Sequence, residues 1–482
     1  MNRYPYPDFI AASPESEGVR SSAIAGMLND IQRENKDIHS VLLWRHGKLI
    51  FEHYFAPYTA STPHSMYSCS KTFTSMLIGI AQEKGLLSIH DPLLKYFPDV
   101  EIENVSDNLR AMTLEHLLMM GSGHSKDTFG PMRAAEDGDW ARVFLNLPID
   151  YVPGTHFVYN TGATYMLSAV LTRITGKTAL ELAEEWIFQH IGIRGAAWDT
   201  CPKGVSAGGT GLHITPRDMM RMGILLLSRG RWNNKQIIPA SYILAAQTKK
   251  IENRNPDDPN QNPNWAAGYC YQMWRCKFGA YRADGMGGQY IVMLPQYDMV
   301  AVFTSALGSD IGYPLDLIEQ YLLPSILPCA QIEIPEQRET LAALSCAAAH
   351  PKAQAMPKEA AAFPFGKKWI LPENPTGLAA LAVREGELDL TLKNDRVITL
   401  LYRWNAPFVN EKPEKALHPW LDRAPSAAMA RWEGDALYLR AAYVGEPLTF
   451  HITLTPAPDE QMHIRILSTL TGGLDAVCGA EA

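Results

Sequence analysis

The sequence predicts an α/β fold: an antiparallel sheet with helices against it and a helical insertion, then a separate C-terminal antiparallel β domain. Three observations carry this. Strand-like runs lie near the start of the chain and again near residue 300, with helical periodicity between them. The composition shifts near Cys329 into a stretch rich in alanine and proline. Short strand-like runs at close spacing then continue towards the C-terminus. Strands at both ends of a unit and helices in its middle imply one sheet built from both ends, with the helical part lying over it. The expected division is a catalytic domain over residues 1–330, a linker over 331–365 and a β-rich accessory domain over 366–482.

The elements follow in order. A helical pattern over 21–34 precedes a hairpin over 39–52, where HSVLLWR and LIFEHY flank a turn at His46-Gly47-Lys48. From 91 to 201 the signals are mostly helical. Thr113 reads as an N-cap with His116 three residues on, and 162–175 and 178–191 are amphipathic segments. Thr215-Pro216 is a capped start with proline at the first helical position. Strands return at about 280–282, 289–294 and 299–304. Beyond the linker, LAALAV, LDLTL, VITLLYRW, ALYLRAAYV and LTFHITLTP read as strands.

Bulk properties exclude several classes. A net charge of −8, without a Lys/Arg-rich run, speaks against a nucleic-acid partner. No run of eighteen apolar residues suggests a membrane span. The N-terminal stretch lacks the apolar core of a secretory signal, so a cytoplasmic location is expected. The seven cysteines are odd in number and scattered, with neither disulfide nor zinc spacing. His64, His116, His124 and His156 are not at ligand spacing either, so neither a metal nor a cofactor is called for. No feature fixes an oligomeric state.

The chemistry concentrates in Ser68-Cys69-Ser70-Lys71. Phe73, Met76, Leu77, Ile80 and Ala81 recur at helical spacing behind it, and Gly85 ends the run. Ser68 thus falls in the first turn of a buried helix, with Lys71 three residues on and on the same face. The helix N-terminus offers a positive field and free N–H groups where an oxyanion would develop. An alcohol is a poor nucleophile until a neighbour takes its proton. A lysine does so only when its pKa is lowered. Cys69 is expected to face away and pack.

Two further segments complete a site. Tyr159 and Asn160 lie on a loop just before a helix, and a tyrosine beside a cationic lysine has a lowered pKa and serves as a base. Gly285, Gly287 and Gly288 stand directly before a strand, where glycines permit close approach of a ligand to the strand edge. The N–H of Gln289 is then available to an oxyanion. Trp265, Tyr269, Tyr271 and Trp274 precede that segment as core packing or as an acyl-pocket wall, and the two readings stay open.

These three elements in this order resemble the serine β-lactamase/penicillin-recognising superfamily, specifically its class C-like branch. That branch includes class C β-lactamases, D-alanyl-D-alanine carboxypeptidases, D-aminopeptidases, family VIII carboxylesterases and 6-aminohexanoate-oligomer hydrolases. Tyr159 follows Ser68 by 91 residues and Met286 follows it by 218. HSVLLWRHGKLIFEHYFAPY, GLLSIHDPLLKYFPDV, MTLEHLLMMGSGH and GTGLHITPRDMMRMGILLLSRGRWNNKQIIP extend the likeness over about residues 12–325. The resemblance implies a β-lactamase/transpeptidase-like fold. It implies Ser68 as acylating nucleophile, Lys71 as partner amine and Tyr159 as the general base that activates the deacylating water. The backbone N–H groups of Ser68 and Gln289 would form the oxyanion hole. Asn160, Thr161, Met286, Gly287, Gly288 and Trp274 would contact substrate.

Two departures from the family pattern bear on substrate. Tyr159-Asn160-Thr161 replaces Tyr-x-Asn, in the form that resembles esterase and 6-aminohexanoate hydrolase relatives. Met286 stands where β-lactamases carry lysine or histidine, and no Lys-Thr-Gly occurs, which removes a partner for a substrate carboxylate. Ser106-Asp107-Asn108 imitates a class A motif but reads as a capping loop, and the absence of G-x-S-x-G excludes an α/β-hydrolase elbow. The leading expectation is a serine hydrolase of small esters or amides. A D-amino-acid amidase or peptidase, a weak β-lactamase, and a non-hydrolytic acylating sensor are the alternatives.

Overall fold

The computed structural model describes residues 4–5, 8–255, 257–410 and 425–481. Helix α1 (Ser21–Arg33) leads into the hairpin of β1 (Ile38–Arg45) and β2 (Lys48–Tyr54). Then come α2 (Ser70–Glu83), α3 (Thr161–Thr175) and α4 (Pro216–Leu227), with shorter helices between them. Three late strands, β3 (Tyr281–Gly285), β4 (Gln289–Leu294) and β5 (Met299–Ser305), complete the sheet. Its order is β2-β1-β5-β4-β3, with the two-residue strand Trp274–Arg275 at the far edge.

The join between early and late chain is the β1–β5 pair, antiparallel with Leu42 opposite Val302. Both faces of this sheet are covered, so β1, β4 and β5 are buried along their whole length. Leu42, Trp44, Ile291, Met293 and Val302 pack on the helical insertion. Their alternates Val41, Leu43, Val292, Ala301 and Phe303 pack on α1.

Local signals hold at several ends. Thr113 and Thr215 make capping boxes with His116 and Asp218, and Ser106 caps the short helix Asp107–Ala111. Ser68 itself lies one step earlier than the periodicity implies. It sits in a 3-10 turn, Tyr67–Cys69, immediately before α2, and Tyr67 takes φ 43°. A left-handed non-glycine residue beside a nucleophile is backbone strain held by its surroundings.

The alanine-rich stretch is not all linker. Residues Pro335–Ala349 form α5, whose Leu341 is buried in the same core as α1. The accessory domain contains β6 (Lys368–Ile370), β7 (Leu378–Arg384), β8 (Glu387–Leu392) and β9 (Val397–Trp404). It continues with β10 (Ser426–Glu433), β11 (Ala436–Tyr443), β12 (Thr449–Pro456), β13 (Met462–Ser468) and β14 (Gly472–Cys478). Neighbours pair antiparallel except β9 and β10, which run parallel through Tyr402–Trp404 and Ala428–Ala430. Trp369 of β6 bridges to Ala480, and Glu481 N–H donates to Lys368 O at 2.7 Å, so the sheet closes into a barrel. Its interior is filled by alternate residues such as Ile398, Leu400, Tyr402 and Trp404. Among the described residues no helix is long and apolar enough to cross a membrane.

Candidate active site

Lys71 is almost completely enclosed, with 1% of its surface exposed. Its Nζ lies 3.0 Å from Ser68 Oγ, 3.2 Å from Thr161 Oγ1 and 2.8 Å from Gly209 O. Burial pulls the amine down from 10.5 to about 7, against the opposing charge of Asp127 and smaller contributions from Cys69 and Asp284. Nζ donates to Gly209 O, Thr161 Oγ1 and Ser68 Oγ, and in the uncharged amine the last of these reverses, the lone pair accepting the Ser68 hydroxyl proton.

Tyr159 packs against this amine, whose Nζ stands 4.9 Å from the ring centroid. The expected lowering of its pKa is corrected by the structure. Burial pushes the phenol well above its ordinary value, and hydrogen bonds with Ser68 and Trp274 only partly offset that. Near pH 7 the tyrosine is therefore a neutral hydroxyl. Trp274 lies 5.3 Å from the Tyr159 ring and is half-buried, as a wall beside the site. Tyr269 and Tyr271 are core, Tyr271 donating to Glu115, and Trp265 packs over Arg282.

Several expected contacts are reassigned. Asn160 is fully buried and caps α3. Its Oδ1 accepts from Ala163 N and from Thr128 N and Oγ1, and its Nδ2 donates to Ser122 Oγ. Both ends of the amide are committed, so Asn160 is a structural cap and not a substrate contact. Its neighbour Thr161 is brought to Lys71, as described.

Gly287 and Gly288 serve the hairpin and not a ligand. Both have positive φ, 76° and 89°. A Cβ on them would stand 2.4 Å from Pro447 Cβ and from Ser305 Oγ respectively. Met286, at the tip, is 52% exposed.

Gln289 is corrected as the oxyanion donor. It lies on β4, an interior strand, paired with Gly285, so its backbone faces the ladder. Its side chain donates to Met286 O and Ser305 O, and its carbonyl accepts from the Cys69 thiol at 3.2 Å. Cys69 is thus a packed tie between nucleophile turn and hairpin. Gly285 O accepts from Gly288 N–H, which closes the turn Met286-Gly287-Gly288. Gly285 itself sits against Met66, close to the nucleophile turn.

Two participants escaped the sequence reading. Gly209 contributes only a carbonyl, and its signal was the glycine run Gly208-Gly209 ahead of a short strand. Asp127, an exposed loop carboxylate, accepts from Thr161 N–H at 2.8 Å and is the leading opposing charge on Lys71. Nothing in its sequence surroundings marks it.

A sheet layered between helices, with a serine in the 3-10 turn that leads into α2 and a lysine on the first turn of α2, defines the β-lactamase/transpeptidase-like class of fold. The Beta-lactamase family model matches residues 18–319, well over half the chain, and the chain belongs to that family of hydrolases. Among curated proteins, the 6-aminohexanoate-dimer hydrolase of Paenarthrobacter ureafaciens is 20% identical over 61% of this chain and 80% of that protein. A solved structure of a putative 6-aminohexanoate-dimer hydrolase from Bacillus anthracis superposes with TM-score 0.52 at 23% identity, covering 67% of this chain and 89% of that one. The octameric penicillin-binding protein homologue from Pyrococcus abyssi covers 95% of this chain and 99% of its own, with TM-score 0.50 and 14% identity.

Proposed function

We propose that the protein is a serine hydrolase that cleaves small esters or amides through an acyl-enzyme on Ser68. The observation that carries this is the buried Lys71 amine, pulled to about 7 and 3.0 Å from Ser68 Oγ. The neutral amine takes the Ser68 proton as the oxygen attacks the substrate carbonyl carbon. The oxyanion is received by the N–H groups of Ser68 and Met286, donors worth roughly 3–4 kcal/mol each in comparable sites. The protonated amine, with the Tyr159 hydroxyl beside it, returns a proton to the leaving group. The same groups then take a proton from water as it attacks the acyl carbon, and Ser68 is released.

The exposed, uncharged Met286 favours esters and simple amides over substrates held by a carboxylate. The curated relative that acts on a 6-aminohexanoate dimer is consistent with an amide or ester of modest size. Labelling with a fluorophosphonate probe tests the nucleophile. Wild type should label and Ser68→Ala, folded by circular dichroism, should not. Labelling of Ser68→Ala at the wild-type rate would remove Ser68 from the mechanism.

A further inference from the structure

A cavity of about 820 Å³ lies at the free edge of the catalytic sheet, where β2, the end of α5 and the outer face of β9 meet. Its volume falls within the range of about 300–1,000 Å³ usual for small-molecule sites. Small apolar residues, among them Pro57, Ala349, Pro351, Ala406 and Pro407, make much of its wall. Three polar groups in that wall lack a partner. His53 on β2 is 3% exposed, packs between Phe51 and Phe55, and its Nε2 makes no hydrogen bond. Ser345 Oγ on α5 is likewise buried without one. Arg403 on β9 lays its guanidinium over the Phe408 ring at 4.8 Å and makes no ion pair among the described residues. The Glu52 carboxylate, which also lines the cavity, is already held through both oxygens by Arg217 at 2.6 and 2.7 Å. Burial lowers the His53 imidazole to about 4, so at neutral pH it offers one donor and one acceptor and no charge. A buried ring nitrogen without a partner carries a desolvation cost, and a phenylalanine would fill the same place between Phe51 and Phe55 without it.

We propose that this cavity is a binding site for a small monocarboxylate with an apolar body, its carboxylate on Arg403 with His53 and Ser345 beside it and its chain against the alanine and proline wall. The planar guanidinium fork matches a carboxylate. No lysine or second arginine lines the cavity, so a more highly charged phosphate would be left under-neutralised. Neither Ser68 nor Lys71 lines it, so the site stands whether or not Ser68 is the nucleophile. An occupant would touch β2, α5 and β9 together and so tie the barrel to the catalytic domain.

The test is titration calorimetry on the full chain with hexanoate and its isosteres hexanamide and hexylammonium. Hexanoate should bind at one site per chain with a Kd of about 1 mM or tighter, the amide at least tenfold more weakly and the ammonium not measurably. Arg403→Gln, an exposed position, should cost hexanoate at least tenfold and leave the amide unchanged. Ala349→Trp, which fills the cavity, should abolish both. His53→Phe should weaken hexanoate at least threefold while raising the melting temperature of the unliganded protein, because the orphaned nitrogen is gone. A second readout uses the two exposed thiols, of which Cys346 lines the cavity and Cys329 does not. Saturating hexanoate should slow alkylation of Cys346 by iodoacetamide at least threefold, mapped by mass spectrometry, and leave Cys329 unchanged. Four results would each overturn the site: no hexanoate binding at about 10 mM, binding that survives either Arg403→Gln or Ala349→Trp, wild-type affinity in His53→Phe, or no protection of Cys346.

Discussion

Lowering the pH is the most searching perturbation of the Lys71 assignment. At an ordinary lysine value of 10.5 only about one amine in 3,000 would be neutral at pH 7, whereas at about 7 it is about half. The difference corresponds to roughly 5 kcal/mol at about 1.36 kcal/mol per pH unit, and burial is its cause. If the neutral amine is the base, kcat/KM should be flat above about pH 8 and should fall tenfold per unit below about 7. It should be down about 100-fold at pH 5. The assay is hydrolysis of a short-chain p-nitrophenyl ester from pH 5 to 10, read at the isosbestic wavelength of the phenol. Asp127→Asn removes the leading charge that holds the amine's proton, so its limb should move to lower pH. A limb near 10, or a rate still climbing tenfold per unit at pH 9, would show that an ordinary lysine or the Tyr159 phenolate is the base, and the argument from burial would fall.

Other outcomes follow from single residues. Tyr159→Phe should slow turnover of that ester by roughly 100-fold or more while leaving the acid limb where it is, since the hydroxyl relays a proton but does not set the pKa. A displaced limb would return the base role to the tyrosine. Asn160→Ala should destabilise the protein by about 1 kcal/mol for the lost cap and about 1–3 kcal/mol more for Thr128 left unpaired, read as a lowered urea midpoint. If stability holds and only KM rises, Asn160 is a substrate contact after all. Ester turnover should exceed that of a chromogenic cephalosporin or a D-alanyl anilide by at least about 10²-fold in kcat/KM, because Met286 offers no charge to a carboxylate. A cephalosporin that proves the better substrate defeats that inference.

The hairpin, the capped helices and the nucleophile helix were legible because each is a local pattern: alternation, a cap, or a 3.6-residue period ending in glycine. The architecture followed because strands at both ends of a helical run leave one economical sheet. Legibility failed where one residue type serves two purposes. An asparagine before a helix is a cap or a ligand by the same local signal, and only the burial of Asn160 decides. It failed also for backbone groups, since a carbonyl such as that of Gly209 belongs to any sequence. In the barrel, Ser426–Glu433 reads SAAMARWE, three alanines with little strand preference, and becomes β10 because β11 pairs along its whole length. The parallel joint between β9 and β10 left no mark in composition.

The β1–β5 pair has a consequence in time. Ser68 is made early, yet the strand that completes its sheet ends at Ser305, 237 residues later. At roughly 5–20 residues per second of synthesis that interval is about 10–50 s. Through it β1, with apolar side chains on both faces, has β2 on one edge and no partner on the other. The nascent chain therefore carries an unsatisfied, aggregation-prone strand for about half of its manufacture, and the hairpin that lies against the Ser68 turn arrives just ahead of the strand that closes that edge.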